Sequence, residues 1–162
     1  LLAKEIMKNF SVFFITFILF SFSLFINSCK KNKDKNCKIY NVSSSSKSSH
    51  NNGQNCIECH TYGGKGKGCF NVAGSMYNSI DKTPMKSGYI NLYTEANGKG
   101  TLKAKINVDQ SGNFYSSDIG DVSGLYVSIT GTKGEVRYMS QPLSTGACAS
   151  CHGNTTSIIT AN

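Results

Sequence analysis

Leu102-Lys103-Ala104-Lys105-Ile106-Asn107-Val108 alternates apolar and polar residues without a fault. A strand sends successive side chains to opposite faces, so a period of two describes a half-buried β-strand rather than a helix. The same pattern extends outward. Downstream, Leu125, Val127 and Ile129 alternate with Tyr126, Ser128 and Thr130. Upstream, Ile90 and Leu92 share one parity, and Phe70, Val72 and Met76 share another that Gly74 interrupts. Turn residues separate these runs: Asn97-Gly98, Ser111-Gly112-Asn113, Gly120-Asp121 and Gly131-Thr132. Six strands are expected, near residues 70–77, 87–94, 101–108, 112–116, 124–131 and 134–139. The fold class they predict is mainly β, an antiparallel sandwich spanning residues 70–142. In the last strand Val136 and Tyr138 take the core parity, which leaves Met139 on the other face with Glu135 and Arg137.

Two pentapeptides bracket the strands. Cys56-Ile57-Glu58-Cys59-His60 and Cys148-Ala149-Ser150-Cys151-His152 both read Cys-x-x-Cys-His. This is the attachment pattern of c-type haem. Two cysteines three apart each add to one vinyl group of the porphyrin, and the histidine that follows reaches the iron. Zinc, structural disulfides and redox dithiols also use Cys-x-x-Cys pairs. None of them explains a histidine directly after each pair. Two covalent c-type haems are therefore expected, one through Cys56 and Cys59 and one through Cys148 and Cys151, with His60 and His152 as proximal iron ligands. The flanking segments are residues 50–69 and 143–162.

An iron that only transfers electrons normally takes a second axial ligand, His or Met. His50 is the one histidine outside the motifs. It stands six residues before Cys56 and is a candidate for either iron, against the duller reading of a solvated linker histidine. Met139 is the second candidate, against a surface methionine resting on the porphyrin edge. Met76 and Met85 read as core packing. Cys37 and Cys69 are either a disulfide around the first motif or two free thiols, since sequence does not supply their separation.

Lys4 and Lys8 precede an apolar run from Phe10 to Ile26 that holds seven of the nine phenylalanines. A basic start and a short apolar core read as an export signal over residues 1–28, with Met7 as the natural start. A spanning helix needs about 20 apolar residues. Ile26-Asn27-Ser28-Cys29 resembles the lipobox of bacterial lipoproteins, which implies lipidation of Cys29 and a chain anchored to the membrane rather than through it. Residues 29–49 then form the anchor and a basic linker, in which Ser43 to Ser49 is broken only by Lys47. The net charge of +8 is concentrated there. Residues 30–50 hold six Lys and one Asp (+5), while residues 51–162 hold nine Lys or Arg and seven Asp or Glu (+2). That distribution argues against a nucleic-acid partner and for either a solvated linker or contact with anionic headgroups.

Val72-Ala73-Gly74-Ser75-Met76-Tyr77, Thr83-Pro84-Met85-Lys86-Ser87-Gly88, Val108-Asp109-Gln110-Ser111-Gly112-Asn113-Phe114 and Gly124-Leu125-Tyr126-Val127 together resemble the carboxypeptidase regulatory-like sandwich. The resemblance implies a transthyretin-like, Ig-like scaffold, which by itself carries no activity. With both motifs included, the chain resembles small dihaem cytochromes in which such a sandwich is bracketed by haem sites. The function expected is electron transfer without enzymatic turnover, in the bacterial cell envelope, at the outer membrane, with redox proteins as partners. The alternatives are a haem enzyme of dihaem peroxidase type, and a sandwich that assembles into an oligomer or filament serving as a polymeric conduit. An even number of antiparallel strands returns the chain to the end where it came in, so the two motifs are expected side by side.

Overall fold

The alternating run folds as a strand whose two lysines are exposed and whose Ile106 is buried. In the computed structural model, which describes residues 37–42 and 49–162, it is the third of seven strands. These are β1 (Val72–Asn78), β2 (Tyr89–Tyr93), β3 (Leu102–Asn107), β4 (Asn113–Ser116), β5 (Tyr126–Thr130), β6 (Val136–Tyr138) and β7 (Ile159–Ala161). One sheet runs β4-β1-β7 and the other β3-β2-β5-β6. Every pairing is antiparallel except that of β1 with β7. All described residues belong to the unit formed by residues 32–162. The expected signal (1–28, with Met7), the lipidation site Cys29, Lys30 to Lys35 and most of the serine run lie outside the described residues. Among the described residues no helix is long and apolar enough to cross a membrane.

Register explains the core. Ile90 stands opposite both Ile106 and Ile129, and Leu92 opposite Ala104 and Val127. Directly opposed residues share a face, so the apolar positions of three strands fall together. They meet Val72, Met76, Val108 and Phe114, each at most 1% exposed. Burying each large apolar side chain stabilises the fold by about 1.5–3 kcal/mol relative to leaving it in water. Met76 and Met85 are core residues, at 0% and 4% exposure, as their positions predict. The Asp109–Phe114 corner is held by one buried carboxylate. Asp109 Oδ1 accepts from the Ser111 and Asn113 amides, at 2.8 and 2.9 Å. Gly112 takes the left-handed conformation (φ 81°) that the turn requires, and Phe114 then enters the core.

Three expectations change. The count of six strands becomes seven, because Ile159–Ala161 pairs in parallel with Met76, Tyr77 and Asn78. A three-residue strand is too short to show periodicity, and its partner is some 80 residues upstream. The parity of β6 is the reverse of that expected: Val136 and Tyr138 are 44% and 49% exposed, while Met139 packs against the core. Register decides this, since Arg137 stands opposite Ile129 and so shares the inner face, where Met139 follows. Finally, residues 37–42 are not open linker. Val42 is buried and its amide donates to the Tyr115 carbonyl at 3.2 Å, while Asn41 bonds Ser116 and Asp118 on and after β4.

Candidate functional site

The first motif opens with one helical turn, α1 (Cys56–Cys59), and the second with a 3-10 turn at Cys148–Ser150. In each, the histidine amide donates to the carbonyl of the first cysteine at 2.9 Å. A turn of this kind brings positions i, i+3 and i+4 to one side, so both cysteines and the histidine face the same way. The disulfide joins Cys37 to Cys69, with Cα atoms 4.9 Å apart, and leaves out the four motif cysteines. That resolves the alternative left open for this pair.

Both motif histidines are held alike. His60 Nδ1 lies 2.7 Å from the Lys67 carbonyl, and His152 Nδ1 lies 2.9 Å from the Ser157 carbonyl. A carbonyl only accepts, so Nδ1 carries the proton and Nε2 keeps its lone pair for a metal. Neither acceptor was foreseeable, because any residue type supplies a main-chain carbonyl. A visible signal did exist for the loop that delivers Lys67: Gly63, Gly64, Gly66 and Gly68 crowd the six residues of 63–68. Gly66 donates to the Cys59 carbonyl at 2.7 Å, and a Cβ there would lie 2.7 Å from His60 Nδ1. The His60 ring stacks on Phe70 at 4.1 Å between centroids, and Phe70 on Tyr115 at 4.6 Å. Burial lowers the His60 pKa despite the Lys67 carbonyl, and His50 lowers it further, which favours the neutral, metal-binding imidazole.

The candidate distal residues fall one to each motif. His50 is exposed, with its ring centroid 6.1 Å from that of His60 and the planes tilted by 36°. His50 would be placed to serve as the second ligand of a haem held at this motif. The backbone around His50 is pinned, because Asn113 Nδ2 donates to its carbonyl at 3.1 Å. Met139 lines a cavity of about 730 Å³ together with Cys148, Cys151 and His152, walled by Phe114, Val127 and Ile129. That volume lies in the range of cofactor pockets, which are mostly apolar with few polar groups.

Both motif segments lie along β1. Ala147 bridges Ala73 in parallel, with the Ala73 amide donating to the Gly146 carbonyl at 2.9 Å. On the first side the Gly53 amide donates to Ser75 Oγ at 2.9 Å. Gly53, Ser75 and Tyr77 also share a cavity of about 130 Å³ with Ala149 and His152, so the two segments meet over this strand. The break that Gly74 makes in the β1 pattern has its reason here. A Cβ at Gly74 would lie 2.6 Å from Phe114 Cζ and 2.9 Å from Cys148 Cβ.

No family model, curated protein or solved structure matches this chain. The chemistry of the two segments has to be argued from their own residues. A reactive dithiol needs a lowered thiol pKa. Here burial raises the Cys56 thiol and pushes Cys148 up to about 12. A structural zinc site needs four converging ligands. Among the described residues no group of three or more His, Cys, Asp or Glu side chains is arranged to hold a metal ion between them. Covalent attachment of a haem asks for two thiols and one imidazole on the same side of a turn.

Proposed function

We propose that this chain carries two covalently bound c-type haems and transfers electrons in the bacterial cell envelope, anchored through Cys29. The observation that carries the reading is the shared tether of the two histidines: in both motifs Nδ1 is engaged by a backbone carbonyl and Nε2 is left for iron. Cys56, Cys59, Cys148 and Cys151 would hold the groups, and His60 and His152 would be proximal ligands. His50 suits the first iron by its spacing from His60, and Met139 the second by its place in the cavity wall. Bound there, haem supplies a one-electron iron couple. The residues around it would orient the imidazoles, offer the apolar wall of Phe114, Val127 and Ile129 in the second cavity, and hold the two segments along β1. The resemblance to dihaem cytochromes agrees with this arrangement.

Mass spectrometry of denatured, haem-matured protein tests the reading. Two haem additions are expected, mapped to the peptides containing Cys56/Cys59 and Cys148/Cys151. One addition or none refutes it. Low-spin, six-coordinate spectra at both irons are expected of a carrier; an open coordination position would point instead to a peroxidase-like enzyme.

A further inference from the structure

The Cys37–Cys69 disulfide does more than brace the first motif. It ties the residue that follows the expected anchor directly to the loop that positions His60. Eight peptide steps separate Cys29 from Cys37, against 12 from Cys29 to Asn41, the next residue fastened to the fold. The covalent reach from the anchor to the folded unit is therefore at most about 28 Å rather than about 42 Å. A lipid at Cys29 would keep Cys37 and Cys69 within that reach of the bilayer.

The surface around Cys37 and Cys69 has a particular chemistry. Lys38 and Ile39 follow Cys37 and are exposed, Ile39 by 69%. Tyr40 lies against Gly68 of the motif loop. The loop itself exposes Tyr62 by 72%, together with Lys65 and Lys67. Two exposed acids border it, Glu58 on the neighbouring turn and Asp118, which accepts from Asn41. Lysines that carry their charge on long apolar stems, and tyrosines with an apolar body and polar tip, are the residues that settle at a membrane–water boundary. Anionic headgroups attract such lysines within about a Debye length.

From the tether length and this charge we infer that the surface made by Lys38, Ile39, Tyr40, Tyr62, Lys65 and Lys67 docks on anionic lipid headgroups, holding the first motif at the bilayer surface. The inference rests on lipidation at Cys29, and its test separates the two. The mature, haem-loaded chain is mixed with vesicles of phosphatidylglycerol and phosphatidylethanolamine, or of phosphatidylcholine alone. It is then treated with a water-soluble amine-acetylating reagent, and each lysine is read by mass spectrometry. On anionic vesicles, Lys38, Lys65 and Lys67 should react about fivefold more slowly than in solution, a protection that neutral vesicles do not give. Lys103 and Lys133, exposed on β3 and before β6, should react unchanged. In the double variant Lys65→Glu/Lys67→Glu, the protection of Lys38 should fall away. A chain that fails to sediment with either vesicle overturns the anchoring reading and this one with it. A chain that sediments with all lysines equally reactive, or with Lys103 protected instead, overturns the docking face alone. Protection by an added acidic protein but not by anionic vesicles reassigns the face to a protein partner.

Discussion

The two Cys-x-x-Cys-His segments share a sequence pattern and a histidine tether, yet the fold holds them by different means. The second is built into a sheet. Its Ala147 bridges Ala73, its chain continues into β7, and Cys148 sits over Gly74 against the core. The first is held from outside, by the Cys37–Cys69 bond, by hydrogen bonds of Asn52 to Ser111 and Asn113 and of Gly53 to Ser75, and by the stack of His60 on Phe70. The second faces a cavity of cofactor size. Backbone pairing places many atoms at once and leaves a shaped, apolar wall. Side-chain tethers place a few atoms and leave the rest of the segment to solvent or to a partner surface. The same pentapeptide is therefore set beside a sheet strand and a cavity wall in one place, and among a loop and side-chain tethers in the other.

The sharpest way to break this contrast is to remove the disulfide. Cys37→Ser/Cys69→Ser opens a cross-link spanning 32 residues, which should lower unfolding free energy by about 3–4 kcal/mol in urea titrations. If the first segment alone depends on it, amide exchange should accelerate at His60 and Phe70 and stay slow at Ala73, which donates to Gly146. Equal acceleration at both would mean that the segments are not independently held.

Gly146→Ala attacks the other segment. A Cβ there would overlap the Asn71 carbonyl, a backbone atom that cannot swing aside. Overpacking of this kind costs about 1–3 kcal/mol. The expected readout is a lowered urea midpoint with the His152 ring resonances shifted and those of His60 unchanged. No loss of stability would show that the parallel bridge to Ala73 is dispensable.

A finer contrast comes from the distal residues. Met139→Ala removes a partly buried side chain packed on the core and should cost about 1–2 kcal/mol, below the range for a fully buried methionine. His50→Ala is a surface change, expected within about 0.5 kcal/mol of wild type. In the haem-loaded protein each should alter the low-spin spectrum of one iron and leave the other as it was. If both variants perturb the same iron, the assignment of one candidate per motif is wrong.

The smallest effect is at Asp118, whose carboxylate accepts from Ser116 Oγ and from Asn41 Nδ2 at 2.6 and 2.7 Å. These bonds hold its pKa below the usual carboxylate value. A depressed folded pKa stabilises the fold above the unfolded value, and that contribution is lost as pH falls through the folded one. Asp118→Asn should thus lower the melting temperature slightly at neutral pH, with the difference vanishing in acid. The group is fully exposed, so the effect is small. A difference independent of pH would assign it to lost geometry rather than charge.

Local pattern determined a good deal of this protein. The alternation at 102–108 and 125–130, the turn residues between strands and the Asp109–Gly112–Phe114 corner each act over a few residues, so they are legible without knowing the partner strand. The two motifs are legible for the same reason: two thiols and one imidazole within five residues need only one turn to face the same way. What the sequence could not decide depends on residues far apart in the chain. The parity of β6 is set by its register against β5, which turned Met139 inward and Val136 outward. The seventh strand exists only because β1 offers it an edge. Cys37 meets Cys69, and His50 meets His60, because residues 37–42 and 49–53 are fastened to β1, β4 and its corner by hydrogen bonds that no periodicity encodes. Packing and main-chain pairing sum interactions over the whole fold, and only the folded chain specifies which of them are made.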